Sequence, residues 1–287
     1  MKKLLAMAVT AAFTVSMLAG CGQSAETTDA SAQETEAAGE ETADTADAAS
    51  EDTAERTTFT VGFDAEFPPY GYMDESGEYT GFDLELAQEV CDRNGWELVK
   101  QPIDWDSKDM ELSSGAIDCI WNGFTMNGRE DAYTFSVPYV DNSQVFVVAA
   151  DSGITVFDDL AGKNVGVQKD SSALAALEGD AADLAATFGN LTQYSDYNTA
   201  FMDLEQGAID ALAIDVGVAD YQIASRGEGF VKLSENLASE QYGIGFKLGN
   251  VELKDQVEKT LLEMADDGTF GKIAEKYGLS DSVCLGK

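Results

Sequence analysis

Apolar and polar positions follow two different periods along the chain from residue 57 onward. Phe59–Phe63 is a short apolar run typical of a buried strand. Phe82–Asn94 instead carries apolar residues at helical spacing, with acidic residues in its first turn and Gly95 just after its end. Trp96–Lys100 then predicts another strand. Strands that alternate with helices in this way predict an α/β fold with a mainly parallel sheet.

A short sequence pattern occurs twice in this part of the chain. Leu112–Ile120 and Leu204–Leu212 each have the pattern of a helix end, a glycine that closes the helix, and a strand that follows at once. We therefore expect two similar α/β lobes with a ligand cleft between them. The expected boundaries are 57–144 with 239–287 for lobe 1, and 145–238 for lobe 2.

The remaining pattern predicts further elements of the same two kinds. We expect the lobes to be joined by two hinge strands, near Gln144 and Gln241, about which the cleft would close. A hairpin is predicted over Tyr70–Thr80, where Ser76-Gly77 supplies the turn. The other predicted elements are strands over Gln144–Ala150, Gly162–Gln168 and Gln241–Phe246, and helices from about Ala173, over Leu253–Asp267 and over Phe270–Tyr277.

The first residues of the chain differ in character from those that follow. Met1–Lys3 is positively charged, Leu4–Leu18 is apolar, and a Leu-Ala-Gly-Cys motif ends at Cys21. These features predict a signal peptide over residues 1–20, because the apolar stretch is shorter than the roughly 20 residues that span a bilayer. Leu-Ala-Gly-Cys resembles the bacterial lipobox, and this resemblance implies a lipid anchor on Cys21.

Residues 21–56 form a candidate linker. From residue 22 to residue 55 there is no Lys, no Arg and no aromatic side chain, and the sequence is rich in Ala, Thr, Ser, Glu and Asp. Such a segment cannot bury enough apolar surface to fold, and its like charges repel each other. We expect an extended, disordered acidic spacer, since no sustained apolar stripe supports a helix.

Composition narrows the range of functions. The chain has 17 Lys and Arg against 53 Asp and Glu, a net charge of −36, which argues strongly against nucleic-acid binding and mildly favours a cationic ligand. There is no histidine, which removes the Ser-His-Asp and Cys-His catalytic arrangements and histidine-ligated zinc sites. The spacing of Cys91, Cys119 and Cys284 does not match a metal or redox motif. Either all three are buried thiols, or two of them form one disulfide. We expect no metal and no cofactor.

Charged residues at strand ends are the first candidates for a binding site. Asp64 and Asp215 each follow a predicted strand directly, where a carboxylate can reach a ligand ammonium or, alternatively, cap a helix or face water. Arg129 lies a few residues after the predicted strand Cys119–Trp121. Its planar guanidinium suits a ligand carboxylate, although a surface ion pair is the alternative.

Aromatic and hydroxyl side chains in loops are further candidates. Phe67, Tyr70 and Trp105 follow predicted strands, and could either enclose a ligand side chain or pack against the Pro68-Pro69 turn. Ser171 and Ser172 precede the predicted helix near Ala173, where they could cap the helix or bind an anion.

A series of short motifs runs from Phe59 to about Gly278. They are Val61-Gly62-Phe63-Asp64, Phe67-Pro68-Pro69-Tyr70, Gly81-Phe82-Asp83-Leu84-Glu85-Leu86-Ala87, Gly123-Phe124-Thr125 before Arg129, Leu160-Ala161-Gly162-Lys163 before Val165-Gly166-Val167, Gly207-Ala208-Ile209-Asp210 and Asp267-Gly268-Thr269-Phe270. Through these motifs the chain resembles the family 3 solute-binding proteins, the amino-acid receptors of ABC importers. The resemblance implies a periplasmic-binding-protein-like fold of type II, with two lobes and a cleft between them. It implies capture of a free polar amino acid and delivery to an ABC permease and its ATPase. Asp64, with Glu66 two residues later, favours a cationic side chain, although an amide could use Asp64 equally well.

The same resemblance implies a role for each candidate residue. The implied contacts are Arg129, Thr125, Ser171 and Ser172 for the α-carboxylate, Asp215 and the Gly123 region for the α-ammonium, Phe67 and Trp105 beside the side chain, and Asp64, Asn122 and Gln168 at its far end.

Two other functions are compatible with the same resemblance. One is an enzyme similar to cyclohexadienyl dehydratase, with Glu66 as general acid. The other is a sensor that presents its liganded domain to a signalling partner. For the receptor we expect no enzymatic activity, and a monomer held by its lipid anchor on the outer face of the cytoplasmic membrane.

Overall fold

The computed structural model describes residues 56–286, which contain fourteen β-strands and eight α-helices. The predicted signal peptide, Cys21 and nearly all of the predicted linker lie outside the described residues. Within 56–286, no helix combines the length and the apolar character needed to cross a membrane. The strands are β1 Thr58–Phe63, β2 Glu66–Phe67, β3 Gly71–Met73, β4 Tyr79–Thr80, β5 Glu97–Pro102, β6 Cys119–Ile120, β7 Tyr133–Phe135, β8 Val140–Ala149, β9 Asn164–Gln168, β10 Asn190–Tyr194, β11 Ala211–Asp215, β12 Phe230–Lys232, β13 Ala238–Tyr242 and β14 Gly245–Lys247. The helices are α1 Phe82–Asn94, α2 Lys108–Ser114, α3 Ser172–Glu178, α4 Ala182–Ala185, α5 Tyr197–Glu205, α6 Val216–Arg226, α7 Val251–Asp266 and α8 Thr269–Lys276.

Two mixed sheets organise these elements. The first sheet has the order β5-β1-β6-β14-β7, and the second has β10-β9-β11-β8-β12, with β13 also paired to β8. In each sheet three neighbouring strands are parallel, and the strands beyond them are antiparallel. The predicted α/β class is confirmed, whereas the prediction of mainly parallel sheets is wrong for half of each sheet. Except for β12, the antiparallel strands come from the two segments that pass between the sheets, β7 to β8 and β13 to β14.

Helix α1 begins and ends where its sequence predicts. Gly95 has a φ of 73°, and its N–H closes the helix on the carbonyl of Cys91. This left-handed conformation is easily reached only without a β-carbon, so glycine is the residue that ends the helix here. The apolar face of α1 is buried against the first sheet and α7, through residues such as Leu86 and Val90. Burying each such side chain contributes about 1.5–3 kcal/mol.

The two copies of the sequence repeat form the same turn. In the first, Asp118 accepts a hydrogen bond from the N–H of Thr60 at 2.7 Å and donates its own N–H to that residue's carbonyl at 2.8 Å. In the second, Asp210 makes the same two bonds with Asn164, at 2.8 and 2.7 Å. Each aspartate therefore fixes a new strand beside the earlier parallel one, which explains why the motif appears once in each sheet.

The prediction of one continuous strand over Gln241–Phe246 is wrong. The structure divides it into β13, paired with β8 of the second sheet, and β14, paired with β6 of the first. At the break, a β-carbon on Gly243 would come within 2.8 Å of the Met126 side chain. The chain crosses between the sheets at this point, and only glycine fits against the neighbouring segment.

The cysteine alternatives can also be compared with the structure. Cys91 and Cys119 are buried in the first core as thiols, and no disulfide is formed within residues 56–286. Burial raises the pKa of Cys91 to about 12 and holds that of Cys119 well above its usual value, which leaves both thiols protonated and unreactive.

Candidate ligand-binding site

A pocket lies where the carboxyl ends of parallel strands from both sheets meet. The ends of β6, β9 and β11 contribute to it. This is the position at which open α/β sheets bind ligands. Ten of the twelve predicted contact residues line it: Phe67, Trp105, Asn122, Gly123, Thr125, Arg129, Gln168, Ser171, Ser172 and Asp215. The other two, Asp64 and Tyr70, lie outside this lining.

Arg129 reaches the pocket from a turn after β6. Its guanidinium donates to the carbonyls of Thr125 at 3.2 Å and Asp170 at 3.4 Å, and its Cζ lies 5.1 Å from the Phe124 ring centroid. The chain's other arginines all pair with carboxylates: Arg56 with Asp118, Arg93 with Glu89 and Asp267, and Arg226 with Glu205. Within residues 56–286, Arg129 has no such partner. Its cationic fork is therefore available to a carboxylate from outside the protein.

Asp215 ends β11 on the opposite side of the pocket. Its carboxylate accepts hydrogen bonds from the Asn142 amide at 2.8 Å, the Gln144 amide at 2.6 Å and the Tyr242 hydroxyl at 2.5 Å. None of these donors carries a charge, and no Lys or Arg of the described residues pairs with Asp215. Burial, and then the nearby charge of Glu240, raise the pKa of Asp215 to about 7.

Glu240 on β13 is a site residue that the sequence reasoning missed. It is 7% exposed and accepts hydrogen bonds from Thr125 Oγ1 at 2.9 Å, Gln144 Nε2 at 2.8 Å and Ser172 Oγ at 3.3 Å. The predicted strand began at Gln241, and so left this glutamate in a loop. A strand extended by two residues would have placed it on the same face as Tyr242, because side chains alternate along a strand.

The serines and Thr125 have their hydroxyl hydrogens directed within the protein. Ser171 caps α3 by accepting from the N–H of Leu174 at 3.1 Å, and donates to the Gln168 carbonyl at 2.8 Å. Thr125 and Ser172 donate to Glu240, since an ionised carboxylate can only accept. Ser172 Oγ also accepts from the Gln144 amide at 2.9 Å. In this arrangement neither hydroxyl has a hydrogen left to donate to a ligand carboxylate, the role predicted for both residues.

Gly123 occupies a position that only glycine can fill. Its φ is +57°, and a β-carbon here would lie 2.8 Å from the Phe67 ring. Its N–H donates to the buried carboxylate of Asp83 at 2.6 Å, which also accepts from the Tyr139 hydroxyl at 2.9 Å. Burial raises the pKa of Asp83 to about 7. Asp83 thus fixes the backbone that forms one wall of the pocket.

Asp64 lies just beyond the pocket, linked to it by two amides. Gln168 Nε2 donates to the Asp64 carboxylate at 2.7 Å, and the Asp64 backbone N–H donates to Asn122 Oδ1 at 3.0 Å. The Asn122 amide nitrogen is buried without a hydrogen-bond partner among the described residues. Burial raises the pKa of Asp64 to about 6, although hydrogen bonds from the Glu66 N–H and Gln168 oppose the shift.

A second pocket adjoins the first beyond Trp105, which lines both. We call it the acidic pocket, because five carboxylates and no Lys or Arg line it. These are Asp64, Glu66, Asp104, Glu111 and Asp196. The far end of the predicted site therefore opens towards concentrated negative charge.

The aromatic candidates separate into two groups. Phe67 and Trp105 line the first pocket, whereas Tyr70 lies behind Phe67, with ring centroids 5.6 Å apart. The Tyr70 ring also packs against Tyr242 at 5.3 Å, and its hydroxyl lies where a β-carbon on Gly217 would be, at 2.4 Å. Tyr70 thus supports Phe67 rather than facing the pocket.

Comparisons with known proteins give the same picture. The model of the bacterial extracellular solute-binding proteins, family 3, matches residues 59–280. The chain belongs to this family. It is 30% identical to the L-cystine-binding protein TcyJ of Escherichia coli K12 over 226 residues, which cover 78% of the chain and 83% of the relative.

Solved structures of the family share this chain's two-lobed, type II periplasmic-binding-protein fold. A substrate-binding protein of an ABC uptake transporter from Streptococcus pneumoniae, with bound histidine, is similar at 34% identity and a TM-score of 0.76, covering 79% of this chain and 94% of that one. An ancestral arginine-binding protein bound to arginine is 35% identical with a TM-score of 0.72, and the match covers 78% of this chain and 99% of that one. The ancestral amino-acid-binding protein AncCDT-1, a precursor of cyclohexadienyl dehydratase, is 28% identical with a TM-score of 0.70. The match covers 77% of this chain and 95% of that one.

Proposed function

We propose that this family 3 solute-binding protein captures a free α-amino acid outside the cell and delivers it to an ABC permease and its ATPase. The observation that carries the proposal is the pairing of Arg129 and Asp215 in one pocket. Arg129 lacks a carboxylate partner and Asp215 lacks a cationic one, among residues 56–286. A zwitterion supplies both missing charges, and buried charges are costly when they stay unpaired.

The side chain of the amino acid is polar, with a cationic group favoured. The acidic pocket continues from the first pocket at the Asp64 end, and has no basic residue in its lining. A cationic or hydrogen-bonding group could reach Asp64, Asn122 and Gln168 there. Relatives named for cystine, arginine and histidine are consistent with this class of ligand.

The dehydratase alternative has weaker support from the geometry. Glu66, its candidate general acid, lines the acidic pocket rather than the pocket that contains Arg129 and Asp215. Its carboxylate accepts a hydrogen bond from the Asn198 amide, which opposes the rise in its pKa caused by burial and by the nearby charge of Asp196. The likeness to AncCDT-1 keeps this alternative open to a direct assay with a prephenate-like substrate.

The remaining parts of the proposal follow from the sequence pattern. Cys21 carries a lipid anchor, and the acidic spacer before residue 57 lets the receptor reorient near its permease. The lobes are 57–144 with 239–287 and 145–238, hinged near Gln144 and Gln241, and the protein is a monomer. Neighbouring genes for a permease and an ATPase would favour transport over the sensor alternative.

A thermal-shift screen tests the proposal most broadly. The full chain in detergent is melted with each common amino acid and with L-cystine. At about 100 times Kd, a ligand adds roughly 2.7 kcal/mol and raises Tm by about 5–11 °C for a domain of this size. We expect a shift with one or a few polar amino acids. The protein is first unfolded and refolded to remove bound ligand. If the Tm of this ligand-free protein then responds to none of the amino acids, the proposal is refuted.

A further inference from the structure

Two buried carboxylates share the same amide donors at one side of the first pocket. The Asn142 amide nitrogen lies 2.8 Å from Asp215 Oδ1 and 2.7 Å from Glu240 Oε1. The Gln144 amide nitrogen lies 2.6 Å from Asp215 Oδ1 and 2.8 Å from Glu240 Oε1. Asp215 is 4% exposed and Glu240 is 7% exposed. The two negative charges are therefore close together and shielded from water.

The groups that hydrogen-bond to this pair are neutral. The charged groups nearby are Arg129, which lines a pocket with each carboxylate, and those that line the pocket beside Glu240: Asp170, Glu178 and Asp180. From β13 the Tyr242 hydroxyl donates to Asp215, and from α5 the Tyr197 hydroxyl lies 3.5 Å from the same carboxylate. Tyr70 faces the pair from the loop before β3, and burial holds the pKa of all three tyrosines well above 10. No Lys or Arg of residues 56–286 forms an ion pair with either carboxylate.

The pair and its amide donors lie in the second sheet. Asn142 and Gln144 lie on β8, Glu240 lies on β13, and Asp215 ends β11. Both β11 and β13 pair with β8, so that Asp215 is opposite Gln144 and Glu240 is opposite Asn142. This pairing brings the two carboxylates together beside the proposed hinge near Gln144 and Gln241, where Glu240 belongs to the proposed lobe 1 and Asp215 to lobe 2.

We propose that Glu240 is a positioning residue of the ammonium site: its charge helps to keep a proton on Asp215 in the empty receptor, and Asp215 exchanges that proton for the ammonium of the bound amino acid. The inference rests on the proposed function. The step is balanced: the protonated pair and the ligand ammonium give the ion-paired carboxylate and one proton, which passes to solvent. Glu240 acts through its charge on Asp215 and through Thr125 and Ser172, whose hydroxyls it orients.

The exchange makes ligand affinity depend on pH in a defined direction. The raised pKa of Asp215, about 7, applies to the empty site, and the ligand ammonium lowers it. Below pH 7 the ligand must therefore displace a proton, and affinity falls by up to about tenfold for each pH unit. Above pH 8 the pair is already ionised, and this dependence disappears.

Calorimetry in buffers of different ionisation enthalpy counts the released protons directly. The probe is the amino acid with the largest thermal shift in the screen, titrated into the full chain in detergent. Wild type should release about 0.9 proton from the pair at pH 6 and about 0.1 at pH 8. Glu240→Gln keeps an acceptor for Thr125 but removes the charge that adds to the effect of burial on Asp215, and should release fewer protons than wild type at pH 6 while still binding at pH 8. Glu228→Gln, at an exposed position, is the matched control and should behave as wild type.

The outcomes separate this inference from the proposed function. Asp64 is a second source of protons when a cationic side chain binds, so the difference between wild type and Glu240→Gln is the decisive quantity. A wild type that binds an amino acid without releasing protons at pH 6 overturns the inference and leaves the receptor function intact. Equal proton release by wild type and Glu240→Gln also overturns it. Absence of binding by any amino acid refutes the proposed function instead.

Discussion

Arg129 in the pocket and Arg93 on the surface of α1 have different electrostatic surroundings. Arg93 lies 2.8 Å from both Glu89 and Asp267, with its side chain 25% exposed. Arg129 has only backbone carbonyls and an aromatic ring around it, and Asp215 across the pocket has only neutral donors. At Arg93 the protein pairs its own charges, whereas Arg129 and Asp215 have no oppositely charged partner among residues 56–286. Unmatched charges in a secluded site indicate a partner that arrives from outside.

The largest expected effect comes from removing each arginine in turn. Arg129→Ala should weaken amino-acid binding by about 100-fold or more, because the ligand carboxylate would be left desolvated and unpaired. Arg93→Ala removes the same charge from a surface cluster, and should leave the Kd within about threefold of wild type. Titration calorimetry measures both. Similar losses in the two variants would contradict the distinction between the two regions.

A smaller effect is expected at the far end of the site. Asp64→Asn keeps the shape and an acceptor oxygen but removes the charge. It should weaken binding of a cationic amino acid by about tenfold more than binding of a neutral one, the size of a charge-assisted hydrogen bond. Competition between an arginine-class and a glutamine-class ligand gives this ratio. An unchanged ratio would mean that Asp64 does not contribute to the choice of side chain.

The smallest effect is on stability, and its sign again separates the two regions. Burial raises the pKa values of Asp83 and Asp215 to about 7, so the folded state binds protons more tightly than the unfolded state between about pH 4 and 7. Acidification of the ligand-free protein from pH 8 to pH 6 should therefore raise the free energy of unfolding, by about 1–3 kcal/mol.

For Asp267 on the surface we predict the opposite change of stability with pH. Hydrogen bonds from Thr269 and Arg93 lower its pKa to about 2, so its contribution is lost only as the pH falls from about 4 towards 2. Urea unfolding across this pH range checks both signs. Asp83→Asn should remove part of the rise between pH 8 and pH 6, and a ligand-free protein that is less stable at pH 6 than at pH 8 would contradict the assignment.

Local sequence signals predicted the elements whose ends depend on local chemistry. Phe82–Asn94 was predicted without error because apolar spacing and Gly95 define it within a few turns. Most pocket residues could be found because strand ends in parallel sheets are recognisable sites. Glu240 and the break at Gly243 could not, since they depend on β13 pairing with β8, far away in the sequence. The unpaired state of Arg129 was also beyond the sequence, which offered many acidic residues as partners.

The most direct test of the central claim compares the best amino acid from the screen with two of its own analogues. One lacks the α-carboxylate and the other lacks the α-ammonium, while the side chain is the same in both. If Arg129 and Asp215 bind the two charges of a zwitterion, calorimetry will show that each analogue binds about 100-fold or more weakly than the parent. An analogue that binds within about threefold of the parent would contradict the account.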